Sequence, residues 1–226
     1  MTHPMPTATA TPRHPFFWLA LYALAMACVE AVLVVYLRTL YYPDNPLVIF
    51  PLRLPSSMHL VMELTRELAT GIMILCVAWL AEKNIARRFA ALVYVFGLWD
   101  IFYYVWLKLF IGWPVTFTEW DMLYLIPWPW FGPWLTPVAI AMVFVLWGGW
   151  VLSASRAPRW HMASIALFVT GALLALAAFL APGAALLPQG AEGFRGYAPG
   201  AFAWWLFLPG LAAMTAALIA TLRVAR

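Results

Sequence analysis

The sequence predicts an all-α polytopic membrane bundle of about six transmembrane helices, with a short interfacial or re-entrant helix in the 112–134 loop. Two observations carry that expectation. Of 226 residues, 65% are hydrophobic and 10% charged, whereas soluble domains carry roughly a quarter charged residues. Six apolar runs are also long enough to cross a bilayer, because about 20 residues at ~1.5 Å rise cover the roughly 30 Å hydrocarbon core. They fall near 16–40, 58–81, 89–111, 135–153, 161–181 and 201–222. Residues 16–226 are thus expected to form one transmembrane domain, preceded by a disordered cytoplasmic tail over 1–15.

In the first span, Arg13 and His14 precede an apolar run whose Leu24 to Cys28 stretch faintly resembles a lipoprotein cleavage site. A mature lipoprotein would continue in polar residues, yet this chain runs on through Val29, Ala31, Val32 and Leu33, interrupted by Glu30. The segment therefore reads as a span. Cys28 and Cys76 both fall within spans and suggest no disulfide.

The second span carries Glu63, Arg66 and Glu67 in "HLVMELTRELAT", and the third carries Asp100 and Lys108 in "LWDIFYYVWLK". Spans four to six contain no Asp, Glu or Lys. Each central charge disfavours insertion by about 2.5–3.5 kcal/mol even on a lenient scale, so six unpaired ones would approach roughly 15–20 kcal/mol. They must meet partners. Asp100, Tyr104 and Lys108 recur at i, i+4 and i+8, a stripe about 12 Å long on one helix face. His59, Glu63 and Glu67 recur the same way on the second span, and Glu30, Glu67 and Asp100 lie at matching depth. The expected site is Glu30, Glu63, Arg66, Glu67, Asp100, Tyr104 and Lys108, holding an ion or solute. Four in-span carboxylates against two in-span bases, with Arg38 at the end of the first span counted outside, exceed what ion pairing needs, so some are protonated or the site holds a cation.

A metal centre from His59, Glu63, Glu67 and Asp100 is a weaker alternative, because Glu63 and Arg66 place a cation where a carboxylate-bridged site would put histidine. No phosphate loop, dinucleotide fingerprint, nucleophile elbow or zinc-protease run occurs. No catalytic residue or cofactor is assignable.

Residues 112–134 are too apolar for an ordinary loop. Thr118 and Asp121, three apart, form a capping-box pattern that predicts a short helix, stopped by Pro127, Pro129 and Pro133. Trp113, Glu119, Trp120, Asp121 and Trp130 of this loop are the expected lid over the charged cluster. The tryptophans also suit an aromatic belt at headgroup depth. The last two spans are rich in Ala and Gly, which permits close packing against each other or a membrane-protein partner.

Lys and Arg set the orientation. With the 82–88 loop inside, eight basic residues (Arg13, Lys83, Arg87, Arg88, Arg156, Arg159, Arg223, Arg226) face Arg38, Arg53 and Arg195 outside. That bias places both termini in the cytoplasm of a cell-membrane protein. The formal charge of +4 is spent on topology and gives no reason to expect nucleic acid. The lipid bilayer is the expected partner. The leading functional expectation is a transporter-like protein with a carboxylate-rich site opening outward; an accessory subunit of a larger membrane complex and an intramembrane enzyme on a lipid-like substrate are the alternatives.

Overall fold

A computed structural model describes residues 15–154 and 157–222; the expected tail over 1–15 lies, but for Pro15, outside the described residues. Six helices are long and apolar enough to cross a membrane: α1 (Pro15–Tyr41), α2 (Ser57–Ala81), α3 (Ile85–Ile111), α4 (Leu135–Ser153), α5 (Met162–Ala184) and α7 (Trp204–Leu222). The protein is an all-α polytopic bundle. A one-turn α6 (Ala191–Phe194) lies between α5 and α7, and a two-stranded hairpin, β1 (Trp120–Tyr124) and β2 (Trp130–Pro133), lies between α3 and α4.

Local chemistry sets the helix ends. Ser56 caps α2 by accepting the His59 backbone N–H, and the Asn84 side chain accepts the N–H groups of Ala86 and Arg87 to start α3 straight after α2. Gly112, at φ +77°, ends α3 in the left-handed conformation that glycine adopts without penalty. Arg87 then reaches across to the C-terminus of α4, donating to the carbonyls of Val151, Leu152 and Ala154 while pairing with Glu82. A guanidinium on unsatisfied helix carbonyls is favourable both as hydrogen bonding and against the helix dipole.

The helices pack as α1 on α3, α3 on α4, and α5 on α7, with α2 against α3. A close backbone approach joins α5 to α7. A Cβ added at Gly171 would lie 2.6 Å from Gly210 O and 2.7 Å from Met214 N, and one at Gly210 would meet Gly171 O at 2.7 Å. Both obstacles are backbone atoms, so neither can yield by a rotamer change. The small residues of the last two spans thus serve each other inside the chain. Gly171→Val is expected to wedge these helices apart and lower the melting temperature by more than Gly71→Val, whose added Cβ meets nothing within 4 Å. Equal melting of the two variants in detergent would contradict the close contact.

The 112–134 segment departs from expectation. In place of a short helix it forms an antiparallel hairpin pairing Trp120 with Pro133, Asp121 with Gly132, Met122 with Phe131 and Tyr124 with Trp130, with a bulge between Met122 and Tyr124. The physical reason lies in tertiary partners. Glu119 spends its carboxylate on the backbone N–H groups of Val115 and Thr116, and Asp121 spends its own on Arg38 and Tyr104. Neither is left to cap a helix. The aromatic residues suit a pleated surface: Trp130 stacks on Phe179 of α5, and Trp120 meets Phe202 edge-on.

Candidate functional site

At the hairpin end of the bundle, α1, α2, α3 and the hairpin enclose a cavity of about 540 Å³. Its wall runs from Tyr41, Arg53 and His59 near the helix ends down to Thr70, Trp99 and Asp100. Asp100 lies eleven residues before the end of α3, about 16 Å along the axis. That is roughly half the depth of a hydrocarbon core.

The floor of this cavity receives one carboxylate from each of three helices: Glu30 of α1, Glu67 of α2 and Asp100 of α3. Their situations differ. Glu30 pairs with Arg66 Nη1, while Arg66 Nε and Nη2 donate to Glu63 Oε2 at 3.0 and 2.8 Å. Arg66 therefore ties α1 to α2 and has both carboxylates as its partners. Glu67 is buried and accepts the Leu125 backbone N–H at 3.0 Å, and its own carbonyl accepts Tyr124 Oη–H at 3.3 Å. It fastens the hairpin turn to α2. Asp100 has no such partner: its Oδ2 is buried and makes no hydrogen bond.

A second charged group closes the cavity beside the hairpin. Arg38 Nη2 donates to Asp121 Oδ1 at 3.1 Å with both side chains 4% exposed, and the guanidinium lies 4.0 Å from the Trp113 ring centroid. Asp121 also accepts the Met122 N–H at 3.0 Å and Tyr104 Oη–H at 3.3 Å. Burial pushes the Asp121 carboxyl above the usual carboxylate range, opposed by the Arg38 guanidinium and these two donors. Two further donors on the cavity wall stay unpartnered, Arg38 Nη1 and Trp99 Nε1. Among the described residues, these and Asp100 Oδ2 are the buried side-chain polar atoms without a hydrogen bond. All three belong to residues of one cavity wall.

The structure brings Glu30, Glu63, Arg66, Glu67, Asp100 and Tyr104 together there, but not Lys108. Its ammonium instead donates to the carbonyls of Gly112 and Pro114, at 2.9 and 2.8 Å. A cation in the last turn of a helix reaches the terminal carbonyls more cheaply than it reaches back into the core. Of the expected lid residues, Asp121 lines the cavity, whereas Trp113, Glu119, Trp120 and Trp130 do not. Trp113 is buried under Arg38 and Tyr104, Trp130 faces Phe179 of α5, and Trp120 faces Phe202 just before α7. The covering face is Asp121 to Leu125 with Pro127 to Pro129.

His59, Glu63, Glu67 and Asp100 form no metal-holding group, and no set of three or more His, Cys, Asp or Glu side chains does so among the described residues. His59 Nδ1 instead lies 2.5 Å from Tyr41 Oη. Sequence reasoning missed Arg38, Trp99 and Tyr103 as cavity residues. For Arg38 the signal was present: Glu30, Val34 and Arg38 share one face of α1 at i, i+4 and i+8. Comparison with protein-family models, curated proteins and solved structures finds no match to this chain.

Proposed function

We propose that this multi-pass membrane protein is transporter-like, admitting a proton, cation or small solute to the carboxylate-lined cavity from the outer side of the cell membrane. Both termini then face the cytoplasm. The orientation rests on the basic residues, since Lys83, Arg87, Arg88 and Arg159 lie at the end of the bundle opposite the hairpin.

One observation carries the functional reading: Asp100 Oδ2 is buried beside a cavity with no hydrogen-bond partner. Charges that merely hold helices together are matched, as Arg66 is by Glu30 and Glu63, and Arg38 by Asp121. An unmatched buried carboxylate oxygen costs stability without structural return. It is the group expected to take up and release a partner. The cavity wall also holds Glu30, Glu63, Glu67, Asp100 and Asp121 against Arg38, Arg53 and Arg66, a balance that favours positive charge in the lumen.

Vesicles containing the purified protein and a trapped pH-sensitive dye test the reading when challenged in turn with a pH jump, a sodium gradient and a choline gradient. Wild type is expected to move protons faster than empty vesicles under at least one challenge. Asp100→Asn should reduce that rate to the empty-vesicle level while melting close to wild type. Wild-type vesicles as tight as empty ones under all three would overturn it, as would an unimpaired Asp100→Asn.

A further inference from the structure

The cavity is far larger than a proton or a metal ion requires, and this narrows the solute that the proposed function leaves open. Resting on that reading of the site, we propose that the ligand is a small organic amine in its protonated form, with an apolar body and an acceptor oxygen near the nitrogen.

Size leaves room for more than the simplest occupants. About 540 Å³ lies within the range of roughly 300–1,000 Å³ typical of small-molecule sites, against about 30 Å³ for one water. Shape of the lining is equally informative. Much of the wall is apolar, with Val34, Leu37, Ile49, Leu60, Leu64 and Leu123 among its residues, and such side chains would strip a bare ion of hydration and return nothing. An apolar body is what these side chains solvate.

Charge then decides the head group. An anion would find the charge of both interior guanidinium groups already balanced, Arg66 by Glu30 and Glu63 and Arg38 by Asp121, with Arg38 Nη1 left open to a neutral acceptor. Arg53 is exposed at the rim and donates to the Tyr41 carbonyl. A cation finds Asp100 without a counter-ion among the described salt bridges and Oδ2 without a donor. Trp99 and Tyr103 on the same wall carry aromatic rings of the kind that attract ammonium groups.

The unmet hydrogen bonds specify the rest. Asp100 Oδ2 needs a donor, which an ammonium N–H supplies, whereas Arg38 Nη1 and Trp99 Nε1 need acceptors. The Arg38 side chain is 4% exposed, so protein and ligand are its available sources of an acceptor once the cavity is filled. Asp100 and Tyr104 are one turn apart on α3, about 6 Å along the axis. Tyr104 bonds Asp121, which bonds Arg38. Asp100, Tyr104, Asp121 and Arg38 thus form one connected stretch of the cavity wall, and a molecule carrying both a donor and an acceptor is what that stretch would engage.

Titration calorimetry on the full-length protein in phosphatidylcholine nanodiscs tests this with three probes of one apolar body: phenylalaninol, its neutral N-acetyl derivative, and phenylacetate. Phenylalaninol is expected to bind, with the other two at least about tenfold weaker, the factor that one lost charge contact readily produces. Asp100→Asn should weaken phenylalaninol by about tenfold or more, and Asp100→Glu should keep part of the affinity. Should Asp100→Asn fail to fold, the ranking of probes on wild type decides alone. Equal binding of the three, a preference for phenylacetate, no binding by phenylalaninol, or an Asp100→Asn protein with unchanged affinity overturns the proposal. Amine binding by a protein whose vesicles move nothing would uphold this ligand class and remove the transport reading. Proton or sodium flux without amine binding would do the reverse.

Discussion

Replacing Arg66 by Met is expected to destabilise the protein by about 3 kcal/mol, at the lower end of the range for breaking a buried ion pair. The lower end applies because Arg66, Glu30 and Glu63 retain 19%, 11% and 17% side-chain exposure. Met preserves most of the side-chain volume while withdrawing the one cation that faces both carboxylates. α2 depends on that cation more than the other helices would, since its buried residues are only Glu67, Thr70, Ile74 and Ala78. With Arg66 gone, Glu30 and Glu63 face each other across the junction of α1 and α2, and α2 is held there by its Glu67 contacts to the hairpin. Melting in detergent, with amide exchange along α2 as a local readout, checks the expectation. Adding Glu30→Gln should recover part of the loss, because the double variant removes a charge that the single variant strands. An Arg66→Met protein that melts with wild type and leaves α2 equally protected would show that the pair is ornamental.

The parts of this molecule that could be read from the chain alone are those decided by length and by spacing within one helix. Six apolar runs declare six helices because lipid admits little else. Glu30, Glu67 and Asp100 reach one cavity because each lies at a similar distance from the helix end that points to the hairpin, the C-terminus of α1 and α3 and the N-terminus of α2, which spacing records. Contacts decided between elements were not legible. Thr118 and Asp121 satisfy a helix-capping pattern locally, yet Asp121 forms its ion pair 83 positions away with Arg38, and that pairing is invisible to a window of a few residues. Lys108 shares a helix stripe with Asp100, but a stripe states which face a side chain leaves from and not how far it travels. Its four-carbon stem carries the ammonium to Gly112 and Pro114 instead. Arg38 counts on the outer side of the membrane through its charge, although its position on the Glu30 face of α1 already argues for the interior.

Arg38 and Asp121 support the second large effect, and the two residues are expected to fail differently. Either substitution, Arg38→Met or Asp121→Asn, breaks a pair whose members are each 4% exposed, and about 3–5 kcal/mol is the usual loss. Either way the hairpin would lose its anchor to α1, and in Asp121→Asn Tyr104 of α3 would also lose its charged acceptor. What remains buried is not equivalent. Arg38→Met strands a carboxylate, which can take a proton and become neutral; Asp121→Asn strands a guanidinium, which stays charged at any accessible pH. Burial already holds the Asp121 carboxyl above the ordinary range, and the Arg38 guanidinium is the foremost influence opposing that rise, so its removal must push the carboxyl further up. A folded value above the unfolded value near 3.9 means that the stability linked to Asp121 is full below that pH and is lost as pH rises through the folded value. Arg38→Met should therefore recover much of its melting temperature in mild acid, relative to wild type at the same pH. Asp121→Asn should recover none. Parallel pH profiles for the two variants would mean that Asp121 binds its proton equally in the folded and the unfolded chain, so that its burial beside Arg38 does not raise its carboxyl.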